Sequence, residues 1–62
     1  MPYVNVRMLK GRTKEQKQKL VKVISDAMAE ICGAKPESTF VVVDEVEREN
    51  WAVGGVLMSD KT

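Results

Sequence analysis

The sequence predicts an α/β fold: a βαβ unit of two parallel strands and one long helix, followed by a short C-terminal hairpin. Three observations lead there. Tyr3 to Leu9 alternates, with Tyr3, Asn5 and Arg7 on one face and Val4, Val6 and Met8 on the other, the period of a half-buried strand. Leu20, Val23, Ile24, Ala27, Met28 and Ile31 recur three and four apart, the period of an amphipathic helix. Thr39 to Val46 then packs Val41, Val42, Val43 and Val46 into a run dense in β-branched residues, which favours a second strand.

Each element carries its own punctuation. Gly11 and Arg12 form a turn after the first strand. Thr13 followed by Gln16 matches a capping box, so the helix is expected from about Lys14 to Cys32. Its other face carries Lys17, Lys22, Asp26 and Glu30. Gly33 suits the position just past a helix end. Pro36 lies in the connection to the second strand, and Glu47 to Asn50 is polar. Trp51 to Met58 is a short apolar segment interrupted by Gly54 and Gly55, read as a hairpin or extended arm.

A helix of about 19 residues is roughly 28 Å long, enough to cross back over a strand. The two strands are therefore expected to run parallel with a right-handed crossover. Two parallel strands do not make a stable sheet alone. A dimer with a four-stranded sheet and two helices on one face would supply the missing neighbours. The opposite face, bearing either Val41 and Val43 or Phe40 and Val42, would seek further partners.

Composition bounds the rest. The 62 residues are expected to form one domain, and domains this small bury only about 60% of their unfolded surface. With one cysteine, Cys32, and no histidine, neither an intrachain disulfide nor a zinc site is expected. Oligomerisation remains as the source of stability. Net charge is +1 with both signs interleaved, which argues against nucleic acid as the main partner. No apolar run approaches a membrane span and no signal-peptide pattern opens the chain. A lone cysteine fits a reducing compartment, so a cytoplasmic protein is expected.

Chemistry centres on Pro2. If Met1 is removed, Pro2 carries a free secondary amine, and unperturbed α-amino groups titrate near ~7.7–8.0. Its ring holds the amine in place. Apolar surroundings lower the pKa of such an amine toward neutrality, and Trp51, Leu9 and Val53 are candidates for that wall. Arg12 is a candidate for the nearby cation and for a bidentate grip on a substrate carboxylate. Pro2 and Arg12 lie at opposite ends of the first strand, more than about 20 Å apart. The two meet only if two first strands pair antiparallel across a dimer.

Structural roles account for the other candidates. Arg12 also reads as a solvated turn residue and Trp51 as a core or interface anchor. Cys32, with no histidine to activate it, reads as a small buried hydrophobe. Lys10, Arg7 and Arg48 read as surface charges. Asp44 and Glu45 are adjacent on a strand, point to opposite faces, and do not form a carboxylate pair.

Together, Pro2 after Met1, Leu9-Lys10-Gly11-Arg12-Thr13, Glu15-Gln16-Lys17, Val41-Val42-Val43-Asp44-Glu45 and Trp51-Ala52-Val53-Gly54-Gly55 resemble the 4-oxalocrotonate tautomerase family along essentially the whole chain. The resemblance implies a homohexamer built as a trimer of βαβ dimers, with no metal or organic cofactor. It implies that Pro2 moves a proton from an enol hydroxyl to carbon on small unsaturated 2-hydroxy or 2-oxo acids. Arg12 would bind the far carboxylate, and Trp51 would stand where an aromatic residue keeps the site apolar. One position departs from the pattern: a second arginine falls, by ungapped spacing, at Phe40. That loss points away from dicarboxylates such as 2-hydroxymuconate and toward monoacids such as phenylenolpyruvate. Two other readings stay open, a hydratase or dehalogenase acting on small unsaturated acids and a non-catalytic oligomeric or partner-binding protein.

Overall fold

Alternation near the N-terminus becomes strand β1 (Tyr3–Leu9) in a computed structural model that describes residues 2–61. Val4, Val6 and Met8 are half-buried, while Tyr3, Asn5 and Arg7 face outward. Helix α1 (Lys14–Cys32) has the expected bounds. Its capping box is complete. The Gln16 N–H donates to Thr13 Oγ1 at 3.1 Å, and the Thr13 N–H donates to Gln16 Oε1 at 2.9 Å. Two amides that the helix start would leave unpaired are thereby satisfied. Gly33 ends the helix at φ 70°, and the next amide, that of Ala34, reaches back to Met28 O at 3.2 Å. A side chain would resist that left-handed conformation.

Strand β2 (Phe40–Val46) starts one residue later than the sequence predicts. Thr39 caps the preceding 3₁₀ turn, Pro36–Ser38. Its N–H donates to Pro36 O at 3.2 Å and its hydroxyl to Lys35 O at 2.9 Å. β2 lies parallel to β1, with α1 as the crossover, in a register that runs from Tyr3 opposite Phe40 to Leu9 opposite Val46. After a 3₁₀ turn at Arg48–Asn50, β3 (Ala52–Val53) and β4 (Val56–Leu57) form an antiparallel hairpin. Gly54 and Gly55 both have positive φ, 60° and 82°, as a tight two-residue hairpin turn requires.

The register decides which face is open. Val41 and Val43 are half-buried with the helix side of the sheet, whereas Phe40 and Val42 are 51% and 42% exposed. Two ion pairs report the same parity. Lys17 of α1 meets Glu45 at 2.7 Å, and Arg7 meets Asp44 at 2.9 Å on the other face. Asp44 and Glu45 therefore diverge as expected.

None of the described residues is buried. The surface of 4879 Å² exceeds the about 4,000 Å² of a compact monomer of this mass. The radius of gyration, 14.7 Å, exceeds the roughly 11 Å expected for 62 residues. Part of the reason lies in α1. Leu20, Ile24, Ala27 and Met28 are half-buried, but Val23 and Ile31, members of the same apolar stripe, are 63% and 80% exposed. Two strands about 5 Å apart are too narrow for the flank at Val23, and Ile31 lies in the last turn. Cys32, expected to be buried, is exposed for the same reason.

Candidate active site

One end of β1 carries Pro2. The residue is half-buried, directly before the strand, and its carbonyl accepts the Phe40 N–H at 3.0 Å. That bond starts the parallel ladder and holds Pro2 beside the entry of β2. Phe40 presents an exposed ring and no donor. Opposite it in register stands Tyr3, 62% exposed, whose hydroxyl accepts from Asn5 Nδ2 at 3.3 Å. The sequence reading gave Tyr3 no role beyond a strand face. Its signal was its position next to Pro2, but the cross-strand register that makes it an aromatic neighbour of Phe40 comes only from the fold.

The other end of β1 carries Arg12. Lys10 N–H donates to Val46 O at 2.9 Å, after which Gly11 turns the chain at φ 139°. Arg12 is exposed and donates from Nη1 to Leu9 O at 3.3 Å. It makes no ion pair among the described residues, so most of its five-donor fork is free for a ligand. Arg7, by contrast, is occupied by Asp44. Leu9, half-buried, sits at the base of the same turn.

The C-terminal arm leaves β2 at this same end, because Leu9 and Val46 are register partners. Trp51 is half-buried; its N–H donates to Arg48 O at 3.4 Å and its carbonyl accepts the Met58 N–H at 2.7 Å. Val53 on β3 is 52% exposed. The arm packs chiefly against its own turns.

Glu45 lies beside the Arg12 turn, close to the Gly11 backbone. The hydrogen bond from Lys17 holds its carboxyl below the ordinary value of 4.5, against partial desolvation, and the Lys17 charge, the Gly11 backbone and the Lys10 charge act in the same direction. Sequence reasoning missed Lys17 and Glu45 as a pair, since their contact depends on how α1 crosses the sheet.

The site candidates thus fall into two groups. Pro2 and Phe40 stand at one end of the sheet. Leu9 and Arg12 stand at the other, where the arm bearing Trp51 and Val53 begins. The seven residues of β1 separate them by roughly 23 Å, too far for one chain to bring Pro2 and Arg12 together. Among the described residues no group of His, Cys, Asp or Glu is arranged to hold a metal, and no helix is long and apolar enough to cross a membrane.

A two-stranded βαβ unit with a proline at one end and, among the described residues, an arginine without an ion pair at the other defines a class of small α/β proteins. A family model described as tautomerase enzyme matches residues 2–61. The 2-hydroxymuconate tautomerase of Bacillus subtilis (strain 168) is 45% identical over 60 residues, covering 97% of each chain. Among solved structures, a 4-oxalocrotonate tautomerase homologue superposes with a TM-score of 0.95 at 39% identity, covering 100% of this chain and 98% of the other. A heterohexameric 4-oxalocrotonate tautomerase from Chloroflexus aurantiacus superposes with a TM-score of 0.89 at 32% identity, covering 97% of each. The chain belongs to the tautomerase family, a family of isomerases.

Proposed function

We propose that this chain, as a single domain, is a cofactor-independent keto–enol tautomerase for small unsaturated 2-hydroxy and 2-oxo acids. Its site is shared between two copies of a homo-oligomer. One observation carries the reading: the β1–β2 pair has Pro2 and Phe40 at one end, and Leu9, Arg12 and the Trp51–Val53 arm at the other. Antiparallel pairing of two β1 edges lays the first group of one copy against the second group of its neighbour. The same pairing yields a four-stranded sheet with both helices on one face, and the open face of Phe40 and Val42 suits further association into a trimer of dimers. A relative that carries the name 2-hydroxymuconate tautomerase and a neighbour that is a heterohexamer support the activity and the assembly.

The chemistry needs Met1 removed. The free Pro2 amine takes the proton of the enol hydroxyl, the carbonyl forms as the double-bond electrons shift, and the pyrrolidinium returns that proton to carbon. Leu9, Trp51 and Val53 of the neighbour disfavour the charged ammonium and bring its pKa toward the working pH. Arg12 of the neighbour binds the substrate carboxylate through a bidentate pair. Phe40 offers no hydrogen bond to a second carboxylate, so monocarboxylates with an apolar or aryl tail fit better than 2-hydroxymuconate.

The test is Pro2→Ala, with intact mass confirming that Met1 is absent from both proteins. Ketonisation of phenylenolpyruvate, followed by loss of enol absorbance, is expected to slow by roughly 10–100-fold, since a primary amine retains some basicity. An unchanged rate refutes the role of Pro2.

A further inference from the structure

Arg12 sits on a short turn whose ends are tied down separately. On the strand side, Lys10 N–H closes onto Val46 O at 2.9 Å and the Lys10 ammonium meets Glu47 at 3.1 Å. On the helix side, Thr13 and Gln16 cap each other, and the Lys17 N–H reaches Thr13 O at 3.1 Å. Among the described residues, one side-chain hydrogen bond joins the two sides: Lys17 Nζ donates to Glu45 Oε1 at 2.7 Å. Lys17 lies in the first turns of α1, and Glu45 lies on β2 opposite Met8. The pair therefore sets the gap that Gly11 and Arg12 bridge.

This pair differs from the other three among the described residues. Its side chains are 31% and 25% exposed, whereas those of the others range from 40% to 74%. Shielded charges are screened less by salt, while exposed pairs contribute little. The Gly11 backbone also lies close enough to Glu45 to favour its ionised form. Gly11 has no side chain with which to hold the turn itself.

We infer that the Lys17–Glu45 ion pair is a positioning element that aims Arg12 at the substrate carboxylate bound beside the neighbouring copy's Pro2. The inference rests on the reading of Arg12 given under Proposed function. Neither Lys17 nor Glu45 touches the substrate. Without the pair, the spacing between the helix start and the strand end is less restrained, and the guanidinium spends less time in the orientation a bidentate grip needs. Carboxylate binding weakens, while proton transfer at Pro2 proceeds as before.

The experiment compares the parent with Glu45→Gln, Lys17→Met, the charge-reversed double variant Lys17→Glu/Glu45→Lys, and Arg12→Ala. Sedimentation confirms assembly of each. The substrates are phenylenolpyruvate and its methyl ester. The single variants are expected to raise KM for the acid about tenfold with kcat within about twofold. KM for the ester stays at the parent value, and charge reversal restores most of the acid KM. An equal rise on acid and ester, or no rise in either single variant, overturns the inference. If Arg12→Ala raises the acid KM but Glu45→Gln does not, the positioning role alone fails. If Arg12→Ala also leaves the acid KM unchanged, the reading of Arg12 fails with it.

Discussion

Val42→Asp probes the open face of the sheet. Val42 lies mid-strand on β2, 42% exposed in the single chain, between Phe40 and Asp44 on the same face. Fully burying a valine contributes roughly 1.5–3 kcal/mol, so covering its remaining surface contributes about 0.6–1.3 kcal/mol per copy. An unpaired carboxylate forced into an apolar contact costs several kcal/mol more, and Asp44 two residues away adds repulsion. Taken together, the eight exposed large apolar side chains among the described residues would contribute roughly 6–13 kcal/mol per copy if covered, as much as the whole stability of a typical small domain. Association is thus expected to be coupled to folding. Sedimentation velocity at micromolar concentration should show the parent as an oligomer and Val42→Asp as a smaller or unfolded species. The parent's Tm should rise with protein concentration. A Val42→Asp protein with the parent's mass and Tm refutes this use of the open face. A parent that is folded, monomeric and concentration-independent in Tm refutes the coupling itself.

Three further outcomes follow from single contacts. Thr13→Ala removes one arm of the capping box, which should cost about 1 kcal/mol and lower Tm by roughly 4–8 °C, read by circular dichroism at fixed concentration. Because the Glu45 pKa lies below its ordinary 4.5 in the folded chain, the unfolded chain binds more protons in that range. The pair's stabilisation is present above pH 4.5 and is lost as pH falls through the folded value; acid titrations of the parent and Lys17→Met should differ in that window. Phe40→Arg should raise kcat/KM for 2-hydroxymuconate relative to phenylenolpyruvate by about tenfold, and a flat ratio removes Phe40 from the site.

Local rules made much of the fold legible. Thr13, Gln16 and Gly33 act within a few residues of themselves, so the bounds of α1 follow from the sequence. Alternation set β1 for the same reason. Thr39 misled because its β-branched side chain favours a strand, while Pro36 and Lys35 offer it closer hydrogen-bond partners. Cys32 misled, and Val23 and Ile31 stay exposed, because periodicity names an apolar face but not how much of it the sheet is wide enough to cover. Of the site, Pro2 and Arg12 stood out by chemistry, and strand length alone placed them apart. The alignment of Phe40 with Tyr3 and the Lys17–Glu45 contact depend on register and crossover geometry, which no short stretch of sequence specifies.

The central claim is that Pro2 and Arg12 act together from different copies. Co-refolding equal amounts of Pro2→Ala and Arg12→Ala chains tests it directly. In a two-fold pair each site combines Pro2 of one copy with Arg12 of the other. Random pairing then regenerates intact sites at about a quarter of the total, because half the pairs are mixed and each mixed pair holds one intact site. Activity at substrate concentrations well below KM should climb to about a quarter of the parent's, far above either variant alone. Activity that stays at the mean of the two separate variants would contradict a shared site.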